Sequence, residues 1–345
     1  MCPIELLRRM VEIKSFAGEE KEIGEFLLDA SKNLNFDEAY LDEVGNFIAV
    51  RGKGQTEVYL VGHMDTAPGW IEPRIDGDLL YGRGSVDAKG PLAAFIVAAS
   101  EVSIPEHLKL VVVGAVEEEG PSTGALHLLK KVSKPPSYLI IGEPSGIDGV
   151  TLGYKGSLFI KKSFISEVSH PASGNDGAIE EGLRSLNDIS KLLEGLNEGR
   201  DGSIDRVDIK VREIRSFSDG LFERLDLGIS FRLPLWLDPD DLLNILGDGW
   251  VPHFKAKAYK CDRSNPLVSA FNRAIRRRGL TPKHKMKSGT ADMNLLAPAW
   301  GCPSVAYGPG DSSLDHTPRE HINLKEYLIS IEILKDVLSS IPPTL

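Results

Sequence analysis

The chain has 345 residues, 41% apolar and 26% charged, with a formal net charge of -10. That balance belongs to an ordinary folded protein and excludes disordered and fibrous classes, while the length suits two domains. The acidic balance argues against general nucleic-acid binding, and no apolar run approaches bilayer-spanning length.

The start, Met1-Cys-Pro-Ile-Glu-Leu-Leu-Arg-Arg-Met10, carries charges where a signal peptide would be apolar. The expectation is a cytoplasmic protein with neither a membrane nor a nucleic acid as partner. Cys2, Cys261 and Cys302 are scattered and odd in number, which argues against a disulfide framework. Any metal would have to be held by histidines and carboxylates.

Along the chain, residues 57–61, 108–116 and 138–141 are short apolar runs of the buried-strand kind, and 91–102 and 124–132 have helical length and composition. Alternation of this sort predicts an α/β fold with parallel strands, whose ligands gather at the strands' carboxyl ends. His63, Glu118, Glu119 and Glu143 fall there. Near residue 153 the texture changes. Residues 157–168, 204–214, 225–233 and 253–260 read as strands and 176–196 and 238–246 as helices, an α+β insert. After Cys261 the chain returns to helix, strand and glycine-rich loops. One domain is therefore expected over 1–154 and 262–345, interrupted by a smaller one over 155–261.

Acidic and histidine motifs punctuate this pattern. In Gly62-His-Met-Asp65, residues two apart on extended backbone share a face, so Asp65 could orient the His63 ring for a metal. Asp87 lies in Tyr81-Gly-Arg-Gly-Ser-Val-Asp-Ala-Lys-Gly90, a turn that suits close approach to a metal and equally suits a helix N-cap. In Val116-Glu-Glu-Glu-Gly120, neighbouring side chains on an extended backbone would point apart, one toward a metal and one toward its water. Glu143 follows the run 138–141, and His316 sits in Asp315-His-Thr-Pro-Arg-Glu320. Two histidines and three carboxylates exceed one tetrahedral site but suffice for two metals sharing a bridge.

In this order the motifs resemble those of the co-catalytic metallohydrolases that include glutamate carboxypeptidase, acetylornithine deacetylase and succinyl-diaminopimelate desuccinylase. The resemblance covers nearly the whole chain. It implies a zinc-peptidase-like catalytic domain with a mixed, largely parallel sheet, plus an inserted lid or dimerisation domain. It also implies two divalent metals, zinc foremost with cobalt or manganese as alternatives: His63 and Glu143 on the first, Glu119 and His316 on the second, and Asp87 between them. The acidic triplet leaves Glu117-Glu118 and Glu118-Glu119 open as base and ligand. The family's spacing from Gly124 selects Glu118 as base and Glu119 as ligand. His170 then resembles the histidine that supports the oxyanion, and Arg232 the arginine that holds a substrate carboxylate, although the family's upstream asparagine motif is not evident in residues 215–220.

Overall texture, including Gly153-Tyr-Lys-Gly-Ser-Leu158, is most similar to the branch that releases lysine or ornithine from the terminal glutamate of an acidic amino-group carrier protein. The basic segment 273–287 would complement such a carrier, and a solvated helix face explains it as well. A homodimer is implied in the same way. The competing readings are a small-molecule N-acyl amino acid deacylase or a dipeptidase using the same chemistry, and a noncatalytic binding module on the same fold.

Overall fold

The computed structural model describes residues 2–343, and the chain divides into two compact units. The first comprises residues up to 153, 261–285 and from 291 onward; the second comprises 154–260 and 286–290. No helix among the described residues is long and apolar enough to cross a membrane.

The first unit is built on a mixed sheet. Its strands run Glu38–Leu41, Phe47–Arg51, Leu108–Ala115, Thr56–His63, Tyr138–Gly142, Ser304–Ala306 and Gly149–Tyr154 in spatial order. The four from Leu108–Ala115 to Ser304–Ala306 are mutually parallel, and the flanking strands pair antiparallel. Register aligns His63 with Ala115 and Gly62 with Gly142, so the parallel strands end together. The loops that follow them share one edge of the sheet.

Helix Lys89–Glu101 packs on the parallel strands close to where they end. Its residues from Lys89 to Ser100 are all buried, so it reads as a core helix without a polar face. A Cβ at Gly62 would lie 3.2 Å from the Leu92 side chain, and one at Gly142 would lie 2.9 Å from the Phe95 ring. Glycines at the strand ends thus let the helix close directly on the sheet. Helices Pro3–Glu12 and Leu324–Ser339 pack against it from outside, the former burying Leu6, Leu7, Met10 and Val11.

The second unit is an antiparallel sheet in the order Asp208–Ser218, Phe222–Leu233, Gly156–Glu167, Val251–Ala256. Alternation places Leu158, Ile160, Leu225, Leu227, Ile229 and Phe231 on one face, where they form a core with helices Ala178–Leu196 and Pro239–Leu246. Lys155 is buried within this unit. Its Nζ donates to the carbonyls of Ser203 and Arg206 and to Asp208, 2.6 Å away, so it braces the turn that leads into the first strand.

Candidate metal centre

His63 ends strand Thr56–His63 and is 2% exposed. Its Nδ1 donates to the Asp65 carbonyl oxygen at 2.9 Å, which fixes a proton on Nδ1 and turns Nε2 toward Asp87 Oδ1 at 3.3 Å and Glu143 Oε1 at 3.8 Å. Glu143 directly follows strand Tyr138–Gly142 and is also buried. Asp87 precedes helix Lys89–Glu101 but does not cap it, because the N-cap position is Ala88 and no side chain caps that end. The carboxylate is instead turned to the histidines. Oδ1 faces His63, and Oδ2 lies 3.0 Å from His316 Nε2.

His316 also meets Glu119 Oε1 at 2.6 Å. Two groups with metal-ligand geometry result: His63, Asp87 and Glu143, all buried, and Asp87, Glu119 and His316, progressively more exposed. Within each group the ligand atoms lie within 4.8 Å of one another. Asp87 belongs to both.

The acidic loop differs from the extended arrangement its sequence suggested. Glu117 takes a left-handed backbone, φ 58°, so the strand ends at Ala115 and Glu118 and Glu119 occupy a turn. Their directions are therefore set by hydrogen bonds and not by strand alternation. The Asp65 carboxylate accepts the N–H of Glu118 at 3.1 Å and of Glu119 at 2.9 Å, whereas its oxygen lies 3.4 Å from the His63 ring. Asp65 thus holds the imidazole chiefly through its main-chain carbonyl and spends its carboxylate on the acidic turn.

Gly124 shows why the turn is anchored where it is. A Cβ there would fall 2.3 Å from Asn46 Oδ1 and 2.6 Å from the Val116 nitrogen. Its N–H reaches the Val116 carbonyl at 3.0 Å, and Asn46 bridges the two segments.

The electrostatics fit divalent cations. Asp65, Asp87, Glu118, Glu119, Glu143 and Asp292 surround His63 and His316, an excess of acid that needs protons or metal to balance it. Burial opposes the charged form of His63, but Asp65, Asp87 and Glu118 outweigh it and raise the ring well above its ordinary value. Hydrogen bonds to Asp87 and Glu119 push His316 up to about 10. Burial would raise Asp87, yet His316 and His63 hold it below the usual carboxylate range. Glu118 is raised by desolvation and by Glu143 and Asp292, against the pull of His63.

Two participants carried no sequence signal. Asp292, 3% exposed, stands near His63 and Glu118, and burial is the largest of the effects that push its carboxyl up to about 7. In sequence it is one acid in a glycine-threonine loop ahead of helix Met293–Trp300. Glu20, also buried, accepts the N–H of Gly18 at 3.0 Å and of Glu117 at 2.9 Å, holding the acidic turn from behind. Only a distant pairing reveals it.

The structure therefore brings His63, Asp65, Asp87, Glu118, Glu119, Glu143 and His316 together. His170 and Arg232 belong to the second unit. There His170 is exposed and accepts the Ala172 N–H at 3.1 Å through Nδ1. Arg232 is half-buried on strand Phe222–Leu233 and donates to Thr290 Oγ1 at 2.7 Å.

The sequence pattern of Peptidase family M20/M25/M40 matches residues 59–340. The chain belongs to this family. A Thermococcus kodakarensis relative, provisionally described as a LysW-lysine/LysW-ornithine hydrolase, is 44% identical over 98% of this chain and 92% of its own length. The LysW-lysine hydrolase of Deinococcus radiodurans is 40% identical over 97% of this chain and 96% of its own. Among solved structures, the M20 family metallo-carboxypeptidase Sso-CP2 of Sulfolobus solfataricus superposes with a TM-score of 0.76 at 18% identity, covering 98% of each chain. That likeness is one of fold. Family membership makes this chain an amide-bond hydrolase and matches the α/β architecture expected from its alternating runs.

Proposed function

We propose that the chain is a two-metal amide hydrolase that releases lysine or ornithine from the terminal glutamate of a LysW-type carrier protein. The observation that carries the chemistry is the Asp87 carboxylate, which offers Oδ1 to the group of His63 and Glu143 and Oδ2 to the group of Glu119 and His316. The choice of substrate is supported by relatives at 40% and 44% identity over nearly the whole chain.

In this reading His63, Asp87 and Glu143 hold one cation and Asp87, Glu119 and His316 the other. Histidine nitrogens and carboxylates suit zinc and admit cobalt or manganese. When bound, such a pair lowers the pKa of a shared water and polarises an amide carbonyl. Glu118 is the general base. Burial, reinforced by Glu143 and Asp292, strengthens its hold on a proton, and as the base its carboxylate would accept a proton from the attacking water and return it to the leaving amine. Asp65 acts on the reaction through backbone, keeping Glu118 and Glu119 adjacent and correctly turned.

His170 is the candidate for supporting the oxyanion, and Arg232 for gripping a carboxylate of the substrate, a task for which its planar fork suits it. The second unit is the candidate lid and dimer surface. Its edge strand Asp208–Ser218 and the adjoining helix and turn expose Phe217, Leu221, Ile214 and Leu183 at 68%, 73%, 56% and 55%, more apolar surface than an isolated edge normally shows. Within the basic segment, Arg278 is paired with Asp336, and Lys283 with Asp148 at 2.7 Å, so part of its charge is already engaged within the chain.

Turnover of carrier-linked lysine and ornithine should be compared with acetylornithine, succinyl-diaminopimelate and dipeptides, using metal-stripped and reconstituted protein. The carrier reaction should dominate and depend on metal. Preference for a free acyl amino acid or a dipeptide would instead support the small-molecule reading, and no metal-dependent hydrolysis at all would support a binding module.

A further inference from the structure

Asp87 and His316 meet in space from loops more than 200 residues apart in sequence. Neither side chain stands on a strand or helix that could fix it. His316 has a left-handed backbone, φ 61°, and an exposed ring, and such a backbone persists in a non-glycine residue only when neighbours impose it.

The neighbours are Arg83 and Glu320. They form a buried ion pair, NH1 to Oε2 2.7 Å, with side chains 6% and 0% exposed. Glu320 Oε1 accepts the N–H groups of Val86 at 3.0 Å and Asp87 at 3.1 Å. Arg83 Nε donates to the Gly69 carbonyl at 2.9 Å, and its terminal nitrogens reach the carbonyls of Thr317 at 3.4 Å and His316 at 3.5 Å. The flanking strand His321–Asn323 pairs with Leu79–Tyr81, which aligns the two loops.

A buried ion pair is a poor source of stability, because desolvating both charges offsets most of their attraction. What this pair supplies is position. Its donors and acceptors are spent on the main chain of the two loops that carry Asp87 and His316. His63 and Glu143, by contrast, stand at the ends of core strands.

We propose that Arg83 and Glu320 are positioning residues that fix the Asp87-to-His316 distance, and thereby set the affinity of the outer ligand group of Asp87, Glu119 and His316 for its cation, with a smaller effect on the inner group, which shares Asp87 but draws its other ligands, His63 and Glu143, from the ends of core strands. The proposal rests on the two-metal reading above.

The test is equilibrium dialysis against zinc and against cobalt(II), with metal counted per chain, for the wild type, Glu320→Gln and Arg83→Lys. Glutamine keeps the shape of Glu320 but not its charge. Lysine keeps the charge of Arg83 but offers three donors from a single nitrogen where the guanidinium spans four partners, Glu320 and three carbonyls, so it covers the case in which Glu320→Gln fails to fold. The wild type should bind two cations. Each folded variant should bind the second cation about 10- to 100-fold more weakly, the range for outer-shell partners of a metal site, and lose clearly less affinity for the first. Excess metal should then restore kcat with KM unchanged.

Wild-type affinity for both cations in both variants would overturn the proposal. So would equal loss of both cations together with a lower melting temperature of the metal-free protein, the result of a merely structural pair. A wild type that binds fewer than two cations would overturn the two-metal reading itself, before any variant is compared.

Discussion

Replacing Asp65 with asparagine probes the acidic turn with almost no change of volume. The side chain is fully buried, and its two oxygens accept the N–H groups of Glu118 and Glu119 at 3.1 and 2.9 Å. Asparagine retains one acceptor and presents an amide donor to the other N–H. One charge-assisted bond is lost, worth about 1.5–3 kcal/mol, and the survivor falls to the strength of a neutral one. We therefore expect D65N to be about 2–4 kcal/mol less stable in the metal-free state by urea unfolding. The turn should shift, and because ångström-scale misplacement of a reacting group costs on the order of 100-fold, kcat should fall at least that far. The assay is unfolding of metal-stripped protein alongside steady-state turnover and metal content. A variant with kcat within about threefold of wild type and unaltered stability would refute the assignment of Asp65 to the turn. Loss of metal alone, with the turn's chemistry intact on reconstitution, would return Asp65 to orienting the imidazole.

Glu118→Gln should keep both cations by metal analysis and the wild-type KM while losing about 100- to 10,000-fold in kcat, the usual contribution of a general base; an active variant would move that role elsewhere. Both histidines of the metal-free site bind protons more tightly than usual, so calorimetry near pH 7 in buffers of different ionisation heat should show about one proton released per histidine as metal binds. Buffer-independent heats would contradict this. In the metal-free protein the raised pKa of His316 favours folding fully below its ordinary value near 6.5, and that contribution is lost as pH rises through about 10; a melting temperature that rises across this window would run against it. Gly124→Ala should cost about 1–3 kcal/mol by overpacking against Asn46 and Val116 and should weaken the cation held by Glu119, measurable by unfolding and metal titration.

The parallel core of the first unit was legible because buried strands and a core helix are written as continuous apolar runs, as in 108–116 and 138–141. The edge strand Glu38–Leu41 was not, since its residues alternate between exposed and half-buried and none is fully buried. Among the site residues, His63 and Glu143 could be read from their positions at the ends of such runs. The direction of Glu118 and Glu119 could not, because it follows from the left-handed Glu117 and from the Asp65 carboxylate, a contact between distant segments. The same is true of Glu20, Asp292 and the Arg83–Glu320 pair. Buried acids of this kind are ordinary loop residues in sequence and acquire a role only when the chain folds over them.

The most direct test of the account is the rate of lysine release from a LysW-type carrier by stripped protein titrated with zinc. Turnover should be absent without metal, rise to a maximum at two equivalents per chain, exceed that on acetylornithine, succinyl-diaminopimelate and dipeptides, and fall about 100- to 10,000-fold in Glu118→Gln. Undiminished turnover by the stripped protein, or full activity of the Glu118 variant, would contradict it.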